Sequence, residues 1–207
     1  MPRLTEIPTT TTMTDDDLFY IVDVEDTTDN PAGSSKSIKK SDVMGNVQRV
    51  EIARLTSGAA NTWDIAGIPT DYDRLILEGA VGNDSGSNCS FELFQNGDYT
   101  SANYFHQFLY ATGTTTTTAE GSTALIGFGG GALALYNPFR LVIEGPALTG
   151  IKTVLCDNSY YVDAVQLRVY KFAMLHKTDT APITSLRLDA SAGNITGNLV
   201  LYGEKTV

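Results

Sequence analysis

Few residues in this chain could do acid–base or nucleophilic chemistry. The 207-residue sequence contains two histidines, His106 and His176. His106 lies in an aromatic, strand-like stretch beside Tyr104 and Phe108, and His176 lies in a connecting segment ahead of Pro182. Neither has a serine or cysteine nucleophile beside it in sequence, and no G-x-S-x-G turn is present. The sequence therefore predicts no hydrolase triad, although residues distant in sequence could still assemble one.

A glycine cluster at 127–132 fits the template G-x-G-x-x-[G/A] of dinucleotide-binding loops. Such a loop binds pyrophosphate only when it opens a helix whose first amides face the phosphate. Here residues 133–135 are followed by Asn137-Pro138, which excludes a helix. The pattern instead favours a strand bulge or a close backbone approach.

The two cysteines, Cys89 and Cys156, lack the C-x-x-C spacing of redox and zinc sites. Each occupies an alternating strand pattern, which favours two buried free thiols and leaves a disulfide between them as the alternative. A zinc site needs more histidine or cysteine ligands than this chain offers. The sequence therefore predicts neither a metal nor a cofactor.

Acidic residues in two regions could bind a cation or hydrolyse a sugar. The first group lies in an acidic stretch: Asp23, Glu25, Asp26 and Asp29. It lacks the D-x-[DN]-x-[DN]-G spacing of a calcium loop, which favours a solvated loop. The second group is scattered: Asp71, Asp73 and Asp98. A carboxylate pair for glycoside hydrolysis could be drawn from it, as from the scattered acids of any β protein.

Three tyrosines are candidates for surface recognition: Tyr99, Tyr160 and Tyr161. An exposed aromatic ring can stack on a sugar, and it can equally line a contact between subunits.

Hydrophobic alternation indicates that strands carry these residues. Leu186 and Leu188 alternate with polar residues before the Gly193-Asn194 turn, and Leu199 and Leu201 alternate after it, which predicts a terminal β-hairpin with one buried face. A second buried face is predicted from Leu75, Leu77 and Val81. The Asn96-Gly97 dipeptide predicts a tight hairpin turn. The threonine-rich run 112–118 is predicted to be an exposed loop.

Further strands are predicted at 49–55, 89–93, 103–110, 124–128, 132–136, 138–144, 151–156 and 164–172. In the last of these, Val165, Leu167 and Val169 are predicted to face the core, with Gln166, Arg168 and Tyr170 outward. Many short strands without a convincing helix predict an all-β fold, an antiparallel β-sandwich of jelly-roll type. We expect this body to span 47–207.

Residues 1–46 differ from the body. They contain nine acidic and four basic residues, so their net charge of −5 is half of the −10 carried by the chain. Two short strands, at 18–22 and around 37–39, flank an acidic turn, and Ser41 can cap one helical turn. Two short strands cannot bury a core alone, so we predict an extended segment that orders by docking on another surface or by oligomerisation. Its docking residues are predicted to be Leu18, Phe19, Tyr20, Ile21, Val22 and Ile38.

The composition limits the partners. The acidic net charge repels phosphates, so neither nucleic acid nor an anionic membrane is expected to bind. Only 18% of residues are charged, as in β assemblies that bury surface against neighbours. No signal peptide is recognisable in Met1-Pro2-Arg3-Leu4, and no apolar run approaches the ~20 residues of a membrane span.

Two regions resemble structural proteins of tailed bacteriophages. The first segment is similar to the N-terminal docking segment of tail-fibre and other virion proteins. This similarity rests on residues 4–8, 15–17, Leu18–Asp23, 31–33 and 36–43. The acidic insert 24–30 departs from that pattern. The body is similar to a β-sandwich module of phage virion genes. This similarity rests on Ile68-Pro69, 94–98, Lys152-Thr153, Ile183-Thr184 and Leu201-Tyr202-Gly203.

This resemblance implies a non-enzymatic subunit of a virion assembled in the host cytoplasm. The first hypothesis is a short tail or head fibre, commonly a homotrimer, docked by its N-terminal segment onto a tail, portal-proximal or capsid protein. The alternatives are a capsid decoration protein and a lectin-like module or weak glycosidase that binds a host surface glycan.

Overall fold

The computed structural model describes residues 18–23, 34–39, 47–56, 60–85, 87–112, 115–129, 137–163 and 166–206. These residues form fourteen strands and a 3-10 turn at Ser101–Asn103. In chain order the strands are β1 (Leu18–Asp23), β2 (Ser34–Lys39), β3 (Val47–Thr56), β4 (Thr62–Ala66), β5 (Arg74–Asn83), β6 (Cys89–Gln95), β7 (Tyr104–Thr112), β8 (Thr115–Gly121), β9 (Leu125–Gly129), β10 (Asn137–Glu144), β11 (Thr153–Asp163), β12 (Gln166–His176), β13 (Ser185–Ala190) and β14 (Ile195–Thr206).

Strands β1 and β2 form a two-stranded antiparallel ribbon, in which Leu18 pairs with Lys39 and Asp23 with Ser34. The chain divides into two compact units between Val47 and Gln48. The ribbon belongs to the first unit, and the second runs from Gln48 to Thr206. The two short strands predicted in the first segment are therefore present. The helical turn predicted after Ser41 lies outside the described residues, and the docking role of 1–46 stays a prediction.

The second unit consists of two antiparallel sheets packed face to face. The large sheet has eight strands in the order β3-β14-β5-β10-β11-β12-β7-β8, and the small sheet has four in the order β4-β13-β6-β9. The core lies between the sheets, because alternate residues of each strand point to opposite faces. In β10, for example, Phe139, Leu141 and Ile143 are buried while Arg140 and Glu144 are exposed.

Eight of these strands pair in a nested order: β6 with β9, β5 with β10, β4 with β13, and β3 with β14. One long antiparallel hairpin produces this nesting. It rolls into two layers when β14 also pairs with β5 and β13 with β6. This is the connectivity of a jelly roll, an eight-stranded double Greek key. The all-β, antiparallel jelly-roll sandwich predicted from the sequence is confirmed.

The other four strands of the second unit are insertions into the roll. Strands β7 and β8 lie between β6 and β9 in the chain, and β11 and β12 lie between β10 and β13. Both pairs extend the large sheet beyond β10. The large sheet is therefore twice as wide as the small sheet that packs against it.

Buried faces predicted from alternation are confirmed in the strands with a clear pattern. Leu186 and Leu188 of β13 and Leu199 and Leu201 of β14 are at most 3% exposed. The face of β5 formed by Leu75, Leu77 and Val81 is also buried. These residues belong to one continuous core cluster. Burying each large side chain contributes about 1.5–3 kcal/mol.

The predicted orientation of β12 was wrong. Tyr170 is 3% exposed and packs in the core with Phe172, whereas Val169 is 48% exposed on the outer face. A one-residue shift of phase moves every side chain of a strand to the opposite face. Both faces of β12 are largely apolar, and the face with two aromatic rings buries the larger area.

The threonine-rich run was also misassigned. We predicted an exposed loop at 112–118, but Thr115–Gly121 forms β8, which pairs with β7 at the edge of the large sheet. Threonine is β-branched and favours a strand once a partner is available. The side chains from Thr115 to Glu120 are all exposed, so the predicted exposure is correct.

Candidate functional site

A polar cluster surrounds the turn that follows β6. Asn96 and Gly97 have φ angles of 51° and 76°, and the Asp98 N–H donates to the Gln95 carbonyl at 3.0 Å. Positive φ at both central residues defines the type I′ turn that Asn-Gly favours. The predicted tight turn is confirmed, and it places Asp98 at the start of the cluster.

The Asp98 carboxylate accepts three hydrogen bonds. Asn103 Nδ2 donates at 2.7 Å, the Thr100 N–H at 2.9 Å, and His176 Nε2 lies at 2.8 Å. Each bond stabilises the ionised form, and the bond from Asn103 contributes most. Together they lower the pKa of Asp98 to about 2.

His176 uses both of its ring nitrogens in this cluster. Its Nδ1 accepts from the backbone N–H groups of Thr178 at 3.2 Å and Asp179 at 2.8 Å. The neutral ring therefore carries its proton on Nε2 and donates it to Asp98. His176 is the last residue of β12 and is 2% exposed, so its predicted place in a linker was wrong. Nε2 of His176 is bonded to Asp98 and Nδ1 to two backbone N–H groups, so neither ring nitrogen is bonded to a serine or cysteine nucleophile in this arrangement.

Tyr104 closes the cluster on the core side. Its hydroxyl donates to the Asp98 carbonyl at 2.9 Å and accepts from the Gln95 N–H at 2.8 Å. Its ring meets the His176 ring edge-on, with centroids 4.5 Å apart. Burial raises the pKa of Tyr104, so the hydroxyl stays protonated.

The segment 177–184 is tied to the same turn. Asn96 Nδ2 donates to Asp179 Oδ2 at 2.8 Å, and Asn96 Oδ1 accepts from the Thr184 N–H at 2.9 Å. From the other side, the buried Lys152 ammonium donates to the carbonyls of Thr180 and Ala181. Desolvation lowers the pKa of Lys152. We call the set Asn96, Asp98, Asn103, Tyr104, Lys152 and His176 the turn clamp.

The remaining candidates for chemistry have structural partners. His106 Nδ1 lies 3.0 Å from Thr123 Oγ1, and its ring stacks on Phe108. Within the glycine cluster, Gly127–Gly129 belongs to β9, and a Cβ atom at Gly127 would lie 3.4 Å from the Phe139 ring. The strand predicted for this part of the cluster is confirmed; residues 130–136 lie outside the described residues.

Cys89 and Cys156 are buried free thiols, as predicted. Asn83 Nδ2 donates to Cys89 Sγ at 3.0 Å. Burial raises the pKa of Cys156 well above its usual range, so this thiol is protonated and a poor nucleophile.

Those candidate acids that the structure describes are not brought together as a cation site. In the part of the chain that the structure describes, no group of three or more His, Cys, Asp or Glu side chains is placed to hold a metal. Asp71 forms an ion pair with Lys205 at 3.0 Å, and Asp98 belongs to the turn clamp. The side chain of Asp23 and residues 24–30 lie outside the described residues.

Of the three candidate tyrosines, Tyr99 is 53% exposed. Its ring packs edge-on against Phe94, and the Arg187 guanidinium lies 4.4 Å from its centroid. The side chains of Tyr160 and Tyr161 lie outside the described ones.

An aromatic row that we did not predict is formed by the inserted strands β7 and β12 together with β9 of the small sheet. It consists of Phe108 and Tyr110 of β7, Phe128 of β9, and Tyr170 and Phe172 of β12. Neighbouring rings in the row lie 5.0–6.1 Å apart. Phe108, Tyr110 and Phe128 are only half-buried, so part of the row is accessible.

The predicted docking residues lie in the ribbon, where Phe19 is opposite Ile38 and Val22 opposite Ser35. The side chains of Leu18, Phe19, Tyr20, Ile21, Val22 and Ile38 lie outside the described ones, so their docking role stays a prediction.

No protein family model, no curated protein sequence and no solved structure matches this chain. Within the described residues, no helix has the length and apolar character needed to span a bilayer.

Proposed function

We propose that the chain is a non-enzymatic structural subunit of a bacteriophage virion, a short tail or head fibre. The observation that carries the proposal is its two-part organisation. The β1–β2 ribbon forms one unit and the jelly roll another. An isolated two-stranded ribbon is marginally stable in water, so it needs a second surface. We assign that surface to another copy, as in a homotrimer, or to a tail, portal-proximal or capsid protein.

Two features of the body support a structural role. Jelly rolls are frequent in viral capsid and lectin domains, which is support by fold analogy. In addition, the residues that first suggested catalysis serve packing and turn formation, since both nitrogens of His176 and the carboxylate of Asp98 are engaged within the turn clamp.

The test is incorporation into particles. A phage lacking the wild-type gene is complemented with the full chain, with a deletion of residues 1–46, or with the full chain carrying Phe19→Asp. Quantitative mass spectrometry of purified particles should show a loss of at least tenfold for both variants. The matched control Leu148→Asp changes a residue that is 68% exposed in the body and should incorporate normally. Normal incorporation of the deletion variant would refute the docking role.

The same measurement separates a fibre from a decoration protein. A fibre subunit should be present in a small number of copies per particle, whereas a decoration protein covers the capsid lattice and reaches hundreds of copies. Both are virion components, so the copy number decides the place on the particle and not the class of function.

The second candidate is a glycan-binding module, which the accessible aromatic row favours. Stacking of a sugar on an exposed ring provides affinity without a charged site. Tyr110 is half-buried and stacks on Tyr170 with centroids 5.2 Å apart. Saturable binding to a glycan array that Tyr110→Ala abolishes, and that Tyr99→Ala leaves intact, would support this candidate; an array without signal would exclude it.

A further inference from the structure

The outer face of the large sheet carries a row of charges that alternate in sign across four adjacent strands. The register aligns Glu78 of β5 with Arg140 of β10, Arg140 with Asp157 of β11, and Asp157 with Lys171 of β12. The side chains are between 34% and 70% exposed. We call these four residues the charge row; its order is negative, positive, negative, positive.

Apolar side chains lie along both sides of the charge row. On one side, the register aligns Val142, Leu155 and Ala173, next to Ile76, which is itself buried. On the other side lies Val169, beside a depression of about 500 Å³. Leu155 is 50% exposed and Val169 is 48% exposed. Single exposed apolar residues are common, but a grouping on one face of adjacent strands is typical of a contact surface.

We propose that this face forms a twofold contact between two copies of the chain. The axis would run between the two facing sheets, parallel to the strands and midway between β10 and β11. Such an axis reverses the order of the charge row in the facing copy. Glu78 of each copy then faces Lys171 of the other, and Arg140 faces Asp157. Every charge in the row meets its opposite.

The pattern selects this arrangement over the alternative twofold axis. An axis along the row, perpendicular to the strands, would place each residue opposite itself, with Glu78 on Glu78, and like charges repel. The chosen axis also brings Val142 of one copy against Leu155 of the other. It keeps the facing strands nearly aligned, which is a common geometry of packed sheets.

Self-complementarity is the reason for assigning the face to a second copy instead of a different protein. A twofold interface uses one patch twice, so the patch must complement itself. The charge row meets this condition, because reversing its order changes the sign of the charge at every position. The inference rests on the sheet alone and does not depend on the proposed virion role.

The patch is small, so the contact is weak by itself. Four strands about 4.8 Å apart and about seven residues long cover roughly 450 Å² per copy. A standard interface buries about 800 Å² per partner. We therefore expect association only at high concentration, with a strong dependence on salt because the charges are partly exposed.

The test is sedimentation of the full chain and of two charge-reversal variants at low salt. Arg140→Glu with Lys171→Glu makes the row entirely acidic, and Glu78→Lys with Asp157→Lys makes it entirely basic. The average mass of the wild type should rise towards twice its low-concentration value between about 10 µM and about 1 mM. Each variant alone should associate at least tenfold more weakly, and an equal mixture of the two should regain association.

Two further variants complete the test. Asp71→Lys with Lys205→Glu reverses an exposed ion pair elsewhere and should associate like the wild type. Leu155→Lys changes one exposed residue without disturbing the row and should weaken association even if the charge-reversed chains do not fold. A wild type without concentration dependence up to about 1 mM, or variants that associate like it, would overturn the twofold contact.

Discussion

Asp98 shows how one carboxylate organises an end of the jelly roll. It receives hydrogen bonds from the backbone N–H of Thr100, from Asn103 and from His176 at the end of β12. These partners come from segments up to 78 residues away in the chain. The turn clamp thus fixes β6, β7 and β12 relative to one another, which is a structural use of a His–Asp pair.

The lowered pKa of Asp98 predicts a pH-dependent contribution to stability. An unfolded aspartate has a pKa of ~3.9, and in the folded chain the pKa of Asp98 is about 2. A group whose pKa falls on folding stabilises the fold above its unfolded pKa and loses that contribution as the pH drops from about 4 to about 2. Asp98→Asn should therefore cost about 2 kcal/mol at pH 7 and much less at pH 2.

Urea unfolding of the wild type and Asp98→Asn at pH 7 and pH 2 measures this difference. The control is Asp71→Asn, whose exposed ion pair with Lys205 should contribute under about 0.5 kcal/mol. An equal loss for Asp98→Asn at both pH values would show that the charge of Asp98 is not what stabilises the clamp.

Gly79 marks a close approach of two strands in the large sheet. Its φ is 148°, and a Cβ atom there would collide with the backbone carbonyl oxygen of Asn198 in β14. Backbone atoms of a paired strand cannot move aside cheaply. Gly79→Ala should cost about 3 kcal/mol or more, measured by thermal unfolding. Gly67→Ala, where φ is 71° but no atom lies within 4 Å, should cost only about 1 kcal/mol; equal losses would contradict the steric explanation.

At the scale of single residues, the sequence predicted the Asn96-Gly97 turn, because the backbone preferences of these two residues are enough to specify the turn type. It did not predict that His176, Asp98 and Lys152 would meet, because only the tertiary fold brings them together. The one local signal was a carboxylate directly after the Asn-Gly pair, a position that can bind the backbone of the following residues.

At the scale of elements, strands with one apolar face were predictable and strands with two were not. In β13, polar residues alternate with Leu186 and Leu188, so the buried face was unambiguous. In β12, apolar residues occupy both faces, and alternation alone could not choose between Val169 and Tyr170. The choice depends on what packs against the strand, which is Phe128 of β9.

The orientation of β12 can be tested by truncating one residue on each face. Tyr170→Ala removes a core ring and should cost about 3–5 kcal/mol in urea unfolding. Val169→Ala removes half-exposed methyl groups and should cost less than about 1 kcal/mol. A larger loss of stability for Val169→Ala than for Tyr170→Ala would instead support the orientation predicted from the sequence.

At the scale of the whole molecule, the sandwich was predictable from strand number and turn spacing, but the nesting of its strands was not. Pairing of β3 with β14 joins residues more than a hundred positions apart, and no local pattern encodes such a partner. No sequence pattern predicts that β7–β8 and β11–β12 are inserted into the roll. These four strands nevertheless supply half of the large sheet, four of the five rings of the aromatic row and part of the charge row.

The central claim is that residues 47–207 form a self-sufficient jelly roll, which leaves residues 1–46 for the attachment that we propose. Its most direct test is equilibrium urea unfolding of a chain that consists of residues 47–207. We predict one cooperative transition, with the steep denaturant dependence (about 1–3 kcal/mol per M) of a folded single domain. A truncated chain that shows no cooperative transition, while the full chain does, would contradict the claim.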